Sequence, residues 1–320
     1  MTTVVERGGR ASGPAPSRLS LNRSPPMAGT ASTIDRLLLL AACLLFSSVC
    51  PVLSASPDIG LANDRYEAAA AREWREVFHD PCTGDWRRFW FLDGEVGVVK
   101  TGPNGIDLTA GPEFKNDAHH MVLWTKREFS GDLKISYEYT RLDRETRCVN
   151  ILFIQATGSG NGPYSRDIAE WSALRRAPAM RVYYDHMHTY HLSYAAYPNN
   201  SDETSYIRGR RYLPESDGLN GTALRPDYFP SGLFETGIPH QISVIKADRE
   251  LLMRVENEEQ TAVFRMVNDS LPPISEGRVG LRHMFTRSAR YRDFRISAPI
   301  AAGSEGLAEP HEEQPGQSGS

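Results

Sequence analysis

A series of short β-type segments, separated by Gly, Pro, Asn and Asp, most constrains the fold of this chain. In the segment Leu133–Arg141 the apolar Leu133, Ile135, Tyr137 and Tyr139 alternate with polar residues, as in a strand with one buried face. About twelve such segments over ~215 residues, without βαβ alternation, predict an all-β, two-sheet antiparallel sandwich with short helices. The predicted strands are Phe89–Leu92, Val96–Thr101, Ile106–Ala110, His120–Phe129, Leu133–Arg141, Cys148–Ala156, Met180–Tyr197, Gln241–Ala247, Leu251–Glu256, Thr261–Val267, Arg278–Phe285 and Tyr291–Ser297.

Helical and irregular segments complete this prediction. The segments Asp64–Val77 and Arg166–Arg176 are predicted to be helices. Pro198–Pro239 is rich in Gly, Pro and Asn and is predicted to be a long irregular loop. Since long loops in compact domains are usually functional, we expect it to cross one sheet face and line a site. A plain surface insertion is the alternative.

The first 55 residues are typical of an export signal. Arg36 precedes the apolar segment Leu37–Phe46, and small residues follow as far as Ala55. We predict cleavage near Ala55 and a secreted or periplasmic protein. An uncleaved leader is the alternative, and it is the only predicted contact with a membrane. The expected organisation is a leader (1–55), a helical lead-in (56–84), a jelly-roll domain (85–298) and a disordered tail (299–320).

Composition limits the class of partner. The chain has 36 Lys and Arg against 40 Asp and Glu, a net charge of −4, and 40% hydrophobic residues. It can therefore bury a core, but it has no basic excess for phosphate contacts, so a nucleic-acid partner is not expected.

The cysteines that follow the leader are Cys82 and Cys148. In an oxidising compartment an even pair is typical of a disulfide. Two separate buried thiols are the alternative, and the sequence does not decide between them.

The C-terminal motifs resemble a known fold. The run Gly277-Arg278-Val279-Gly280-Leu281-Arg282 is followed by Tyr291-Arg292-Asp293-Phe294-Arg295-Ile296. This pair of strands resembles the end of concanavalin-A-like lectin and glucanase jelly rolls. We expect Phe294 and Ile296 to point into the core and Asp293 and Arg295 to face outward.

Three further segments narrow the resemblance. His119–Trp124, Phe129–Tyr137 and Tyr190–Tyr194 are similar to the YesU-like family of bacterial jelly rolls, a domain of unknown function. The resemblance covers roughly Trp86 to Ala298. Members occur among polysaccharide-degradation genes, which implies a polysaccharide or oligosaccharide partner.

Candidate catalytic residues come from His and Tyr more than from acids. Glycoside hydrolysis usually needs two carboxylates, and the E-x-D-x-E pattern of the glucanase branch is absent, which leaves Glu138 as the acid of a hydrolase. A lyase acting on a uronic acid needs a base, an acid and a group that neutralises the carboxylate. The candidates for these roles are His120 or His191 as base, Tyr184 or Tyr190 as acid, and Arg282 with Asn150 at the carboxylate.

Trp124 and His188 are predicted to contact substrate, Trp124 by stacking on a sugar ring. The main hypothesis is therefore an exported enzyme, a polysaccharide lyase or a glycoside hydrolase, with its site in the concave sheet face. The alternative is a non-catalytic carbohydrate-binding jelly roll.

No metal site or definite cofactor is predicted. His186 and His188 with Asp185 and His191 lack a further ligand at a fixed spacing. Ca²⁺ stays open as a cofactor because it is common in this fold class, although no loop of alternating Asp and Asn is present.

Overall fold

A computed structural model of the chain describes residues 58–200 and 204–300. The helices are α1 (Ile59–Ala70) and α2 (Met180–His186), with 3₁₀ turns at Trp86–Arg88, Asp117–His119 and Ile168–Arg175. The strands are β1 (Trp74–Asp80), β2 (Trp90–Asp93), β3 (Val98–Gly102), β4 (Gly105–Thr109), β5 (Met121–Ser130), β6 (Leu133–Arg141), β7 (Cys148–Gly158), β8 (Met187–Tyr197), β9 (Tyr206–Tyr212), β10 (Ala223–Tyr228), β11 (Pro239–Ala247), β12 (Glu250–Glu256), β13 (Thr261–Val267), β14 (Glu276–His283) and β15 (Ser288–Pro299).

These strands form two antiparallel sheets. Sheet I has the order β3-β4-β15-β6-β11-β12-β13-β10, and β1 also pairs with β15. Sheet II has the order β2-β5-β14-β7-β8-β9-β10. Strand β10 belongs to both sheets, since Ala223 pairs with Arg210 of β9 and Arg225 pairs with Val267 of β13. The predicted two-sheet antiparallel jelly-roll sandwich is confirmed.

One hydrophobic core fills the space between the sheets. It takes Tyr137 and Tyr139 from sheet I and Leu152, Leu192 and Tyr194 from sheet II, all buried. Three tyrosine hydroxyl groups that enter this core find partners there, as most buried polar groups do: Asn150 Nδ2 donates to Tyr139 Oη over 2.6 Å, and the Tyr194 and Tyr291 hydroxyls lie 3.0 Å apart.

The alternation predicted for two strands is confirmed. In β6 every odd-numbered residue from Leu133 to Arg141 is buried and the residues between them are partly exposed. In β15 Phe294 and Ile296 are fully buried, whereas Asp293 is exposed and pairs with Arg295. A period of two therefore places one side of each strand in the core, as a half-buried sheet requires.

The outer face of each sheet is also packed. Helix α1 lays Ala62 and Tyr66 on Ile245 and Val263 of sheet I. Its first turn is capped by Asp58, whose Oδ1 accepts from Leu61 N over 2.9 Å. On sheet II the segment 159–186, which contains the Ile168–Arg175 turn and α2, covers part of the outer face and forms a second buried cluster.

Three predicted elements were wrong in type or position. The N-terminal helix ends at Ala70 instead of Val77, and Trp74–Asp80 is a strand because its pairing with β15 buries Phe78 and Asp80. The predicted strand Met180–Tyr197 begins as helix α2, so only Met187–Tyr197 is extended. The region predicted as an irregular loop, Pro198–Pro239, contains strands β9 and β10.

Cys82 and Cys148 are free, buried thiols, so the alternative to a disulfide is the arrangement found. The predicted leader and its cleavage position lie outside the described residues, as does the predicted tail beyond Ile300. Within residues 58–200 and 204–300, no helix combines the length and the apolar character needed to cross a bilayer.

Candidate functional site

The outer face of sheet II carries two rows of side chains that run across five strands. Strand pairing places residues of β5, β14, β7, β8 and β9 side by side, and residues that pair directly project from the same face. The first row is Trp124, Gly280, Phe153, His191 and Arg210. The second row is Val122, Arg282, Ile151, Ser193 and Arg208.

The end of these rows on β5 and β14 is covered by the segment 159–186. The rings of Trp124, Phe153 and Tyr183 stack, with centroids 5.3 Å apart for the first pair and 5.8 Å for the second, and all three are fully buried. Gly280 allows this arrangement, because a Cβ at that position would lie 2.4 Å from Trp124 Cε3. The missing side chain thus makes room for the indole of Trp124.

Asp93 binds the covering segment, residues 159–186, to the sheet. Its Oδ2 accepts from Trp124 Nε1 over 2.7 Å, from Tyr183 Oη over 2.9 Å and from Arg175 Nε over 2.5 Å. The Asp93 and Arg175 side chains are both fully buried. One carboxylate therefore ties β2 and β5 to the covering segment. Trp124, predicted to stack on a sugar, serves here as a buried packing residue.

The β8–β9 end of the rows is less covered, and we call it the open end, consisting of His191, Ser193, Arg208, Arg210 and Tyr212. His191 Nδ1 lies 2.5 Å from Tyr212 Oη, and His191 Nε2 lies 2.5 Å from Ser193 Oγ. Arg208 and Arg210 are half-buried. Tyr184 of α2, also half-buried, packs its ring edge-to-face on Tyr212 with centroids 6.2 Å apart.

Electrostatics keep the imidazole at the open end neutral. Burial lowers the pKa of His191 well below its usual range, and the positive charges of Arg210, Arg282 and Arg208 lower it further. Burial likewise raises the pKa of Tyr212, so that its phenol keeps its proton. The hydrogen-bonded group of His191, Ser193 and Tyr212 is therefore uncharged at neutral pH.

The three arginines of this face differ in their partners. Arg208 Nε donates to Asp227 Oδ2 over 2.9 Å, so its charge is balanced. Arg210 donates only to neutral oxygens, Leu219 O at 3.5 Å and Thr222 Oγ1 at 3.4 Å. Among the described residues no carboxylate lies within ion-pair distance of Arg210.

Arg282 lies on β14, at the covered end of the rows, and is fully buried. Its Nη2 donates to Pro178 O over 2.7 Å and to His120 Nδ1, and its guanidinium lies 4.6 Å from the centre of the Tyr183 ring. The Nε and Nη1 atoms of Arg282 have no hydrogen-bond partner among the described residues. Burial and the neighbouring Arg282 lower the pKa of His120 to about 2, so His120 is also neutral.

The other predicted site residues lie elsewhere. Tyr190 and Asn150 are buried between the sheets, where Tyr190 Oη accepts from Asn268 Nδ2 over 3.1 Å. Glu138 lies on the outer side of sheet I beside Arg292, 3.2 Å away. His188 lines a polar pocket at the edge of the sandwich and lies 3.3 Å from Arg211. This separation removes these four residues from the candidate site.

Sequence reasoning did not find Ser193, Arg208, Arg210 and Tyr212. Arg208, Arg210 and Tyr212 lie in β9, inside the region predicted as a loop. The available signal was the alternation in Tyr206-Ile207-Arg208-Gly209-Arg210-Arg211-Tyr212, which places Tyr206, Arg208, Arg210 and Tyr212 on one face. Among residues 58–200 and 204–300, no three His, Cys, Asp or Glu side chains are grouped so as to hold a metal ion.

Fold and site together define a jelly-roll sandwich with a partly covered, arginine-rich face on one sheet. The chain belongs to the family described as "Domain of unknown function (DUF1961)", whose model matches residues 85–296. This match confirms the family resemblance seen in the sequence. No curated protein matches the chain.

Several solved structures are similar to this chain. A protein of unknown function with a galectin-like fold from Bacillus subtilis aligns with a TM-score of 0.52 at 18% identity, over 71% of this chain and 100% of that one. The carbohydrate recognition domain of Emp47p aligns with a TM-score of 0.45 at 15% identity, over 71% and 98% of the two chains. The exoplasmic/lumenal domain of VIP36 gives 0.46 at 12% identity, over 70% and 89%.

Proposed function

We propose that this protein binds a carbohydrate at the open end of sheet II without cleaving it. The observation that carries the proposal is the set of half-buried hydrogen-bonding side chains on this face: Arg208 and Arg210 of β9, with Tyr184 of α2 beside them. Sites that orient polyhydroxylated ligands need a few well-placed polar groups on a rigid frame. The resemblance of the chain to lectin jelly rolls supports this choice of ligand.

The chemistry of the open end favours binding over catalysis. Both nitrogens of His191 are engaged by Ser193 and Tyr212, which leaves no free base. A glycosidase would also need two carboxylates. The carboxylate beside the open end, Asp227, accepts from Arg208 over 2.9 Å and from Arg225 over 3.1 Å, and is thus a counterion.

The test is a binding measurement on the purified protein with a panel of plant, algal and bacterial glycans, followed by titration calorimetry on the best ligand. Arg208→Gln and Tyr184→Ala should each weaken binding about tenfold, as expected when a central contact is lost. Arg292→Gln, an exposed arginine on sheet I, is the control and should bind as the unmodified protein does.

Two results would contradict the proposal. One is that no glycan of the panel binds. The other is that both open-end variants bind as tightly as the control. Circular dichroism of each variant separates lost binding from lost folding.

A polysaccharide lyase is a second candidate because of the residue types present. His191, Tyr212 and Arg210 are the types that β-elimination on a uronic acid uses, but His191 would have to release Ser193 or Tyr212 before it could act as the base. The unsaturated product absorbs in the ultraviolet, so incubation with uronate polymers distinguishes an enzyme from a binder. Export of the protein, predicted from the leader, is part of both proposals because polysaccharides lie outside the cell.

A further inference from the structure

We infer that the sugar bound at the open end carries a negatively charged group, a carboxylate or a sulfate ester, which Arg210 contacts directly and the buried charge of Arg282 stabilises at longer range. This inference rests on the proposed function and specifies the ligand class of the same site. It is carried by two arginines that form no ion pair with any carboxylate of the described residues, although Asp227 acts on Arg210 from beyond ion-pair distance.

Arg210 is the accessible member of the pair. It is half-buried on β9, directly across from His191 of β8. Its neighbour Arg208 has Asp227 as counterion, whereas Asp227 lies beyond ion-pair distance of Arg210. The two neutral contacts of Arg210 are long, at 3.4 and 3.5 Å, and both use Nη1. Its other N–H groups therefore stay available to an acceptor.

Arg282 adds a second charge from a deeper position. Its side chain is completely buried, and its Nε and Nη1 are unpartnered. Among the described residues no carboxylate forms an ion pair with it, and the carboxylates that act on it from farther away are Asp93 and Asp117. Burying a charge without a counterion is costly, so an anion bound nearby would stabilise Arg282.

The neighbouring groups of the open end do not cancel this charge. The charges of both Arg210 and Arg282 lower the pKa of His191 and of Tyr212. His191 and Tyr212 are neutral, and Ser193 carries no charge. The local field at the open end is consequently positive even though the chain as a whole has a net charge of −4.

A planar guanidinium matches an oxyanion better than it matches a hydroxyl group. Arginine can donate two parallel N–H bonds to a carboxylate, and such charge-assisted bonds are about twice as strong as neutral ones. A neutral sugar would leave both arginines without a counterion. The geometry thus selects an acidic sugar from among carbohydrates.

The experiment uses glycans in matched pairs that differ only in charge. One arm compares polygalacturonate, alginate and glucuronan with their carboxyl-reduced forms, and the other compares a sulfated galactan with its desulfated form. Calorimetry on the full chain should show the charged member of at least one pair binding about tenfold more tightly. Which arm shows the preference identifies the anion.

Arg210→Gln keeps hydrogen-bonding capacity but removes the charge that contacts the anion, so it should reduce the preference for the charged member. Arg292→Gln on sheet I should keep it. The inference is overturned if charged and uncharged members bind equally, or if Arg210→Gln retains the full preference; the proposed function survives both results as long as a glycan binds. Absence of binding to any charged or neutral glycan overturns the proposed function itself.

Discussion

Several histidines of this protein contribute to folding as neutral, buried groups. His283 lies between the sheets, where its Nε2 is 2.8 Å from Tyr291 Oη. Burial, together with the charge of Arg287, lowers the pKa of His283 to about 3, and Asp143 opposes this shift only partly. His120 and His191 are shifted in the same direction by burial and by nearby arginines. At the residue scale, these three histidines are therefore neutral packing residues.

These shifts predict loss of stability in mild acid. In the unfolded chain a histidine takes up a proton below about pH 6.5, whereas the folded chain does not until far lower pH. The unfolded state therefore binds more protons, and the free energy of unfolding falls as pH falls, by up to about 1.4 kcal/mol per pH unit for each such histidine. Urea denaturation at about pH 7, 6 and 5 measures this slope.

Replacing His283 by Gln removes one of the titrating groups and should make the slope shallower by up to about 1.4 kcal/mol per pH unit. His79, which is partly exposed and pairs with Asp293, is the comparison site. If His283→Gln and His79→Gln leave equal slopes, the assignment of His283 as a neutral buried group is wrong.

At the scale of elements, the segment 159–186 decides how much of the sheet II face is accessible. It has little regular helix, since the Ile168–Arg175 turn and α2 are short. Its position depends on Asp93, which binds Arg175 and Tyr183 of the segment. The segment that covers one end of this face is thus held by a buried ion pair.

Asp93→Asn should destabilise the protein by about 3 to 5 kcal/mol, because it leaves the buried Arg175 without a counterion. Hydrogen exchange should increase most in residues 168–186, which the carboxylate anchors. Asp107→Asn, which breaks the partly exposed pair with Arg290 on sheet I, should cost no more than about 1 kcal/mol. Equal losses in the two variants, or unchanged exchange in the segment, would show that Asp93 does not hold it.

At the scale of the whole described region, one strand and one core join the two sheets. Strand β10 pairs with β9 of sheet II and β13 of sheet I, and the inter-sheet cluster draws residues from both. Neither sheet has a separate core in that space. The two sheets should consequently unfold together.

We expect a single cooperative transition in urea. Far-UV circular dichroism reports on all strands, while tryptophan fluorescence is dominated by buried side chains such as Trp90 and Trp124. The two curves should coincide within error. Separate midpoints for the two signals would mean that the sheets are independently stable.

The sequence alone was sufficient for the fold class because that class depends on local, repeated signals. The period-two pattern of Leu133–Arg141 and the motif around Phe294 describe which side of a strand is buried, and each can be recognised without knowing its partner. The strands that were missed had weaker signals. Trp74–Asp80 follows an Ala-rich helix directly, and β9 and β10 are surrounded by Gly and Pro.

The candidate site could be predicted only in part, because it depends on which face each strand turns toward. The sequence assigned His191 and Arg282 to one site, and the structure places both on one sheet face; the sequence also grouped them with Tyr190 and Asn150, which point into the core. Strand pairing alone brought Arg210 next to His191, and only folding of α2 over the sheet separated a covered end from an open one. Residue type and hydrophobic period are local properties of the sequence. The register of the strands, the covering of one end by the segment 159–186 and the lack of an ion-pair partner for Arg210 arise only when distant segments meet, and these three properties decided the site.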